Sequence, residues 1–156
     1  MKIIGTIILD AEQRADIYRL WNNEYPVQLQ YDSIAGLDNY LDALIAPMHY
    51  LALDDSGHLL GWAFTFEREG VTWFGIIIER SCQKAGIGTL LLSQLKSYAT
   101  QLYGWVADHD RYTKSDGSVY HSPVMFYLKN GFELVDGIRL ETEKLSLANI
   151  CWRGDV

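Results

Sequence analysis

The sequence predicts a single α/β domain in which helices pack on a mixed, mostly antiparallel sheet. The chain has 156 residues, enough for one domain with one hydrophobic core. Apolar residues make up 49% and charged residues 21% of the chain, which is typical of a globular protein and not of a disordered one. The predicted order is a strand, two helices, three strands, a helix, a strand, a helix and two strands, which differs from a regular βαβ repeat. We therefore expect residues 1–156 to form one α+β domain.

The first part of the chain supplies one strand and two helices. The run of β-branched residues at 2–9 predicts a strand. Asp10, with Gln13 three residues later, has the pattern of a capping box and predicts a helix that continues to about residue 23. A second helix is predicted over 37–45, ending before Pro47, because a proline disfavours helical backbone in the residue that precedes it.

Three strands are then predicted to form an antiparallel meander. The strand-like runs cover 48–55, 58–67 and 71–79. They are separated by two short polar turns that contain glycine, Asp55-Ser56-Gly57 and Arg68-Glu69-Gly70. Turns of this length join neighbouring antiparallel strands.

A glycine pair stands where the third of these strands gives way to a helix. Gly86 and Gly88 precede apolar residues with the spacing of a helix that lies on a sheet, at 87, 91, 95, 98 and 102. The first amides of a helix have no partner within it and lie at the positive end of its dipole. Because glycine lets a ligand approach the backbone closely, this junction predicts a site for a phosphate group.

Three phosphate-binding motifs compete for this junction. A P-loop requires GxxxxGK followed by Ser or Thr, and the sequence has no such string. A dinucleotide fingerprint requires Gly or Ala at the third position, where this chain has Leu91. The pattern Gln/Arg-x-x-Gly-x-Gly/Ala is matched at every fixed position by residues 83–88. The alternative is that the two glycines only make a tight turn.

A short helix with clear start and stop signals follows a long polar loop at 108–122. Ser122 is a good N-cap residue, and Pro123 suits the first helical position. Gly131 is placed to end the helix in the left-handed conformation. Three further strands are predicted in this part of the chain, at about 104–109, 132–136 and 142–152.

These motifs together resemble those of the GNAT acetyltransferase superfamily. The string at 83–88 resembles the acetyl-CoA-binding signature of that family, and SPVMFYLKNGFELV at 122–135 resembles its A-x-x-F/L-Y-x-x-x-G-F element. The resemblance covers roughly residues 48–152, while the first ~45 residues carry no specific motif. It implies a sheet of about seven strands flanked by about four helices, with the fourth and fifth strands splayed apart.

The resemblance also implies acetyl-CoA as co-substrate, and no metal. The loop amides and the helix N-terminus would bind the pyrophosphate of CoA, and the pantetheine arm would use backbone groups near Ile78. Lys84 would add a positive charge, or it is a solvated loop lysine. The residues predicted to bind the cofactor are Ile78, Gln83, Lys84, Ala85, Gly86, Ile87, Gly88 and Thr89.

For catalysis, the resemblance implies that Tyr127 protonates the departing thiolate, although Tyr127 could instead be a core aromatic. Glu79 and His109 are the candidate bases that would remove a proton from the acceptor amine. Glu67 and Asp108 are further candidates, and each of the four could act through water. Each of the four could equally be a solvated strand end or a loop-capping group.

The acceptor implied by the resemblance is a primary amine of a small molecule or peptide, acetylated by direct transfer in a ternary complex. The loop at 108–122 is longer than its connection requires, so we expect it to form part of the acceptor site, although it could be a surface flap. Four aromatic residues near the N-terminus either line the other side of this site or belong to the core: Trp21, Tyr25, Tyr31 and Tyr40. Another interpretation is a non-catalytic acyl-CoA-binding or interaction module on the same fold.

Net charge, cysteine content and hydropathy indicate which binding partners and which cellular compartment to expect. The net charge of −7 disfavours nucleic-acid binding and mildly favours a cationic acceptor. Cys82 and Cys151 lie far apart without a CxxC spacing, which suggests a reducing cytoplasm and neither a disulfide framework nor a zinc site. The apolar N-terminus is broken by polar residues and is read as a strand, and no stretch is long enough for a membrane span. The oligomeric state stays open, a homodimer included.

Overall fold

The computed structural model describes residues 1–154, so the last two residues of the predicted domain, 155 and 156, lie outside the described part. The strands are β1 (Lys2–Thr6), β2 (Ile45–Leu53), β3 (Leu59–Arg68), β4 (Val71–Ile78), β5 (Gln101–Val106), β6 (Glu133–Glu141) and β7 (Ser146–Arg153). The α-helices are α1 (Ala11–Glu24), α2 (Ile34–Asp42), α3 (Ile87–Tyr98) and α4 (Val124–Lys129). Two short 3-10 helices cover Val27–Leu29 and Arg80–Cys82.

The seven strands form one sheet in the order β1-β2-β3-β4-β5-β7-β6. All neighbouring strands are antiparallel except β4 and β5, which are parallel. Within residues 1–154, β4 and β5 share the single register pair Trp73–Tyr103, whereas β5 and β7 share six pairs. The two parallel strands therefore separate beyond Trp73, which confirms the predicted splay between the fourth and fifth strands.

Helices cover both faces of the sheet. On one face α1 and α2 pack against alternate residues of β3, among them Trp62 and Phe64. On the other face α3 and α4 pack against Ala63 of β3 and against β7. Because successive strand residues point to opposite faces, β3 contributes to both cores and is the best buried strand of the sheet.

The local signals at helix ends behave as the sequence predicts. The amide of Gln13 donates to the Asp10 carboxylate at 2.7 Å, and the amide of Asp10 donates to the Gln13 side chain at 2.9 Å, which completes the capping box. Gly131 has a φ of 87° and follows α4 in the left-handed conformation. The helix α4 begins one residue later than predicted, at Val124, so Pro123 and not Ser122 is its N-cap; the Ser122 hydroxyl still accepts from the amide of Val124 at 3.3 Å.

The predicted boundary of the second helix is wrong. The α2 helix ends at Asp42, and residues 45–47 belong to β2. Pro47 is accommodated there because the register of β2 against β3 shifts between Ile45 and Met48, a bulge in which a residue without an N–H loses no ladder bond.

The later strands are also displaced from their predicted limits. The strand predicted at about 104–109 begins at Gln101, because α3 ends at Tyr98 and Leu102 continues the apolar pattern as a strand residue. The strand predicted at 132–136 continues to Glu141 through Gly137, where the pairing of β6 with β7 shifts register. Apolar periodicity alone does not reveal either boundary.

Burial of His49 makes the stability of the fold depend on pH. His49 is 3% exposed, and the indole Nε1 of Trp62 donates to its Nδ1 at 3.1 Å. Burial, assisted by the positive charge of Arg14, lowers the pKa of His49 to about 4. Between the usual histidine pKa of about 6.5 and this value, the unfolded chain binds a proton that the folded chain does not, so stability falls as the pH falls.

We expect the free energy of unfolding to drop by about 1 kcal/mol per pH unit from this residue between pH 6 and pH 4.5. Urea unfolding at several pH values would measure the slope. His49→Gln, which can still accept from Trp62, should flatten it, while His121→Gln, at a side chain that is 81% exposed, should not. An equal slope in wild type and His49→Gln would contradict the assignment.

Candidate active site

The loop between β4 and α3 presents a row of free backbone amides. Gly86 has a φ of 85° and directly precedes α3. Within residues 1–154, five amides of this loop and of the first turn of α3 donate no hydrogen bond, namely those of Lys84, Gly86, Ile87, Gly88 and Thr89. A Cβ at Gly86 would meet no atom within 4 Å, so the space before the helix is open. This is the arrangement that binds an anionic phosphate at a helix N-terminus.

The residues predicted to bind the cofactor come together in this loop. Gln83, Lys84, Ala85 and Thr89 are exposed, whereas the Ile87 side chain is buried in the core and anchors the start of α3. The Gln83 Nε2 donates to the carbonyl oxygen of Ile78 at 3.1 Å, which joins the loop to the end of β4. The predicted set therefore lies at one end of the β4 strand, next to the gap that separates β4 from β5.

A cavity of about 460 Å³ lies where β4 and β5 separate. Residues from both strands line it, including Gly75 and Ile76 of β4 and Trp105 and Val106 of β5. Half of the lining residues are aromatic: Trp21, Tyr25, Tyr31, Tyr40, Phe64, Phe66, Trp73, Phe74, Trp105, Tyr120 and Tyr127. The four N-terminal aromatics line the cavity and also belong to or pack against the core under α1 and α2, so they have both of the roles that the sequence allows them.

Tyr127 lies on α4 and lines the same cavity. Its ring is buried against Phe74 and Phe132 at centroid distances of 5.6 and 5.3 Å. Among residues 1–154 no hydrogen bond to its hydroxyl is found, which leaves the phenol free to donate to a bound molecule. Burial, with a smaller contribution from Tyr120, raises the pKa of Tyr127 well above its usual value. The phenol is therefore protonated at neutral pH.

Glu79 lies outside the residues that line the cavity. Its carboxylate is 2.9 Å from the His58 Nε2 and accepts from the Ser81 hydroxyl at 3.0 Å. These contacts, that with His58 first, hold the pKa of Glu79 below its usual range. A carboxylate with a lowered pKa and two partners is a poor base, so this geometry does not favour Glu79.

The other candidate bases are also engaged elsewhere. The Nε2 of His109 is 3.1 Å from the carbonyl oxygen of Ser146, and its Nδ1 accepts from the amide of Arg111 at 3.2 Å. Asp108 pairs with both terminal nitrogens of Arg139, at 2.8 and 3.1 Å, which lowers its pKa. Glu67 accepts from Thr72 at 2.7 Å. The structure does not bring His109, Asp108 or Glu67 to the cavity.

The loop at 108–122 contributes to the cavity at its C-terminal end and is anchored in its middle. Tyr120 lines the cavity, while Tyr112 packs against His109 away from it. Lys114 is 7% exposed and its Nζ is 2.8 Å from the Glu24 carboxylate, which also accepts from the amide of Arg80 at 2.9 Å. This buried ion pair ties the loop both to α1 and to the segment that enters the cofactor loop.

Arg68 is the lining residue that the sequence reasoning missed. The sequence predicts a turn at this position, but Arg68 is the last residue of β3 and its guanidinium lies 5.1 Å from the centre of the Phe66 ring. The signal was the alternation of Trp62, Phe64, Phe66 and Arg68, which places every second side chain on the same face. Among residues 1–154, no Asp, Glu or His lines the cavity and Arg68 is its one charged residue.

Two absences hold for the described residues 1–154. No helix there combines the length and the apolar character needed to cross a membrane. No group of three or more His, Cys, Asp or Glu side chains there has the arrangement of a metal site.

The seven-stranded sheet separates at the parallel pair of β4 and β5, and an amide-lined helix N-terminus lies beside the gap. This arrangement is an acetyltransferase-type fold. The model of the Acetyltransferase (GNAT) family matches residues 14–114, well over half of the chain, and the chain belongs to this family. Among curated protein sequences none matches.

Solved structures share the fold at low sequence identity. A phosphinothricin acetyltransferase from Sinorhizobium meliloti, in complex with AcCoA, is 18% identical, with a TM-score of 0.65 over 99% of this chain and 90% of that one. A GNAT-family acetyltransferase from Staphylococcus aureus Mu50 is 14% identical, with a TM-score of 0.68 over 97% of this chain and 99% of that one. A spermidine N-acetyltransferase from Vibrio cholerae is 18% identical, with a TM-score of 0.63 over 98% and 95%. The fold prediction is confirmed.

Proposed function

We propose that this protein transfers an acetyl group from acetyl-CoA to a primary amine of a small molecule or peptide, directly and in a ternary complex. The observation that carries the proposal is the position of the cavity. It opens at the division between β4 and β5, and Tyr127 faces it with a free hydroxyl. The loop of unpaired amides follows β4 at the same division.

The cofactor loop fits the phosphates of CoA. Five amides without partners in residues 1–154 surround an open space before α3, where the helix dipole is positive. The exposed Lys84 adds a positive charge to the same loop. Acetyl-CoA supplies an activated thioester when bound. Ile78, Gln83, Ala85, Gly86, Ile87, Gly88 and Thr89 would hold the pyrophosphate and the adjoining part of the arm.

Tyr127 suits the role of proton donor to the leaving sulfur. Its phenol is protonated at neutral pH because burial raises its pKa, and no described residue competes for its proton. The acceptor nitrogen forms the new amide bond as the carbon–sulfur bond breaks. Tyr127 donates its proton to sulfur, and the proton that nitrogen loses restores the phenol.

The cavity wall offers no carboxylate or imidazole to deprotonate the acceptor, within residues 1–154. We infer that the amine loses its surplus proton to solvent and reacts as the small neutral fraction. Glu79 and His109 would then act only through intervening water. The pH dependence of kcat/KM should follow the pKa of the acceptor amine, so that a less basic amine shifts the profile to lower pH.

The cysteines and the net charge bear on the cellular compartment and on nucleic-acid binding. Cys82 and Cys151 are both free thiols, which supports a reducing compartment, and we propose the cytoplasm. The net charge of −7 supports a role without nucleic acid. A homodimer and the absence of a metal requirement stay predictions.

The deciding experiment measures release of CoA thiol from acetyl-CoA across a panel of amines, with mass spectrometry of the products. We expect amine-dependent thiol release and an acetylated product of matching mass. Acetyl-CoA binding that is measurable by calorimetry, without transfer to any amine, would favour the alternative of a non-catalytic acyl-CoA-binding module.

A further inference from the structure

In the described part of the chain, Arg68 is a cation without an ion-pair partner in a cavity whose other lining residues are aromatic or otherwise uncharged. Its guanidinium lies 5.1 Å from the centre of the Phe66 ring and 5.8 Å from that of Trp73. Within residues 1–154 it makes no ion pair, although the chain carries 20 Asp and Glu residues. The two aromatic rings hold the charge in place without neutralising it.

A second free donor lies beside this cation. The indole Nε1 of Trp73 is buried and has no hydrogen-bond partner among the described residues. A buried polar group without a partner is costly, and such groups are usually satisfied by water or by a ligand. Arg68 and Trp73 are thus two neighbouring donors without an acceptor, on residues that line one wall of the cavity.

These donors favour an anionic group over a cationic one. A guanidinium presents several N–H groups in a planar fork that matches a carboxylate, and hydrogen bonds between charged groups are among the strong ones. A second positive charge placed in the same cavity would be repelled by Arg68, and no described lining carboxylate would compensate it.

The strand register gives the distance from Arg68 to the division between β4 and β5, where the proposed transfer would place the reacting amine. Trp73 pairs with Phe66, so the guanidinium lies near the level of these two residues. The cavity reaches the division between β4 and β5 at Gly75 and Ile76, two to three residues further along β4. With a rise of about 3.3 Å per residue, the separation along the strand is about 7–10 Å. Aromatic rings line the intervening wall.

We propose that the acceptor is a primary amine that carries a carboxylate about 7–10 Å from the nitrogen, across an apolar spacer, and that Arg68 selects it. This inference rests on the proposed acetyl transfer for the identity of the reacting amine. The carboxylate site itself rests on Arg68 and Trp73 alone. The α-carboxylate of an α-amino acid, whose carbon is two bonds from the α-nitrogen, lies too close to that nitrogen to reach from the division to Arg68.

The test compares three amines that share a ring but differ in the para substituent. They are 4-(aminomethyl)benzoate, benzylamine and 1,4-bis(aminomethyl)benzene, with negative, absent and positive charge at the far end. Wild type should acetylate the benzoate with kcat/KM about 10–100-fold above benzylamine, the usual value of a charge-assisted hydrogen bond. The diamine should be the poorest substrate.

Arg68→Gln should lower kcat/KM for the benzoate by about 10–100-fold and change that for benzylamine by less than about threefold. Arg68→Lys should recover part of the preference. Arg111→Gln is the control, because Arg111 is exposed and does not line the cavity. Arg68 is itself exposed, so circular dichroism should show each variant to be folded.

A binding measurement separates this inference from the proposed function. 4-Methylbenzoate has no amine, and its binding can be followed through the fluorescence of the tryptophans that line the cavity. Suppose that 4-methylbenzoate binds to wild type and about tenfold more weakly to Arg68→Gln, while no amine causes release of thiol from acetyl-CoA. This result would support the carboxylate site and overturn acetyl transfer. The carboxylate site would be overturned by two results together. Wild type would acetylate benzylamine or the diamine with the same kcat/KM as the benzoate, and 4-methylbenzoate would bind equally well to wild type and to Arg68→Gln. If wild type neither binds 4-methylbenzoate nor acetylates any of the amines, both the carboxylate site and acetyl transfer are overturned.

Discussion

Replacing Tyr127 with phenylalanine should lower kcat by about 10²–10⁴, the usual contribution of a positioned proton donor. The substitution keeps the ring that packs against Phe74 and Phe132 and removes only the hydroxyl. That hydroxyl has no hydrogen-bond partner among residues 1–154, so its removal leaves no described group unsatisfied. The thermal midpoint and the affinity for acetyl-CoA should both stay near those of wild type.

Tyr120→Phe is the matched control for this prediction. Tyr120 lines the same cavity and burial raises its pKa to about 12, so it has a similar environment and the same chemistry. If Tyr127 is the proton donor, Tyr120→Phe should change kcat by less than about tenfold. Equal losses in the two variants would indicate a general effect on the cavity, and wild-type turnover in Tyr127→Phe would remove Tyr127 from the mechanism.

The parts of the site that the sequence could predict are local in the chain. The cofactor loop depends on a strand, a glycine in the left-handed conformation and the start of a helix, all within residues 71–98. The Tyr127 helix likewise carries its own start and stop signals, Ser122 and Gly131. Such signals act over one or two turns, so one short window is enough to read them.

The acceptor cavity could not be predicted in the same way. Its aromatic wall joins residues as distant in sequence as Trp21, Phe64 and Tyr127. Which strand lies beside which is a property of the whole sheet, and a shift of one residue in register would turn Arg68 to the opposite face. For the same reason Glu79 and His109 were reasonable candidates from the sequence, since spacing does not reveal that their partners are His58 and Ser146.

The charge on the cavity wall has the opposite sign to the net charge of the chain. The net charge of −7 is a sum over the whole protein and acts on solubility and on long-range attraction. Most of the acidic residues are exposed, and salt screens exposed charges over about 10 Å. The single charge on the cavity wall, within the described residues, is the positive charge of Arg68. The preference for a cationic acceptor that bulk charge suggests therefore does not carry over to the site.

Introducing a carboxylate at the start of α3 should abolish cofactor binding. Gly86→Glu places a negative side chain beside the five unpaired amides, in the space where a phosphate would lie. Like charges brought together at an interface cost several kcal/mol, so we expect affinity for CoA and acetyl-CoA to fall by at least about 100-fold in a calorimetric titration. Activity should fall in parallel.

Gly70→Glu separates this effect from backbone strain. Gly70 has a φ of 77°, close to the 85° of Gly86, and a Cβ at either position meets no atom within 4 Å. Both variants therefore carry the same strain of a side chain in the left-handed region and the same added charge. Gly70 lies at the opposite end of β4, before Val71, whereas the cofactor loop follows Ile78. Unfolding measurements should show similar destabilisation of the two variants, while only Gly86→Glu loses CoA. A carboxylate and a pyrophosphate cannot both bind the amides of one helix N-terminus without a loss of affinity. If a folded Gly86→Glu variant binds CoA as tightly as wild type does, the phosphates of CoA therefore bind elsewhere.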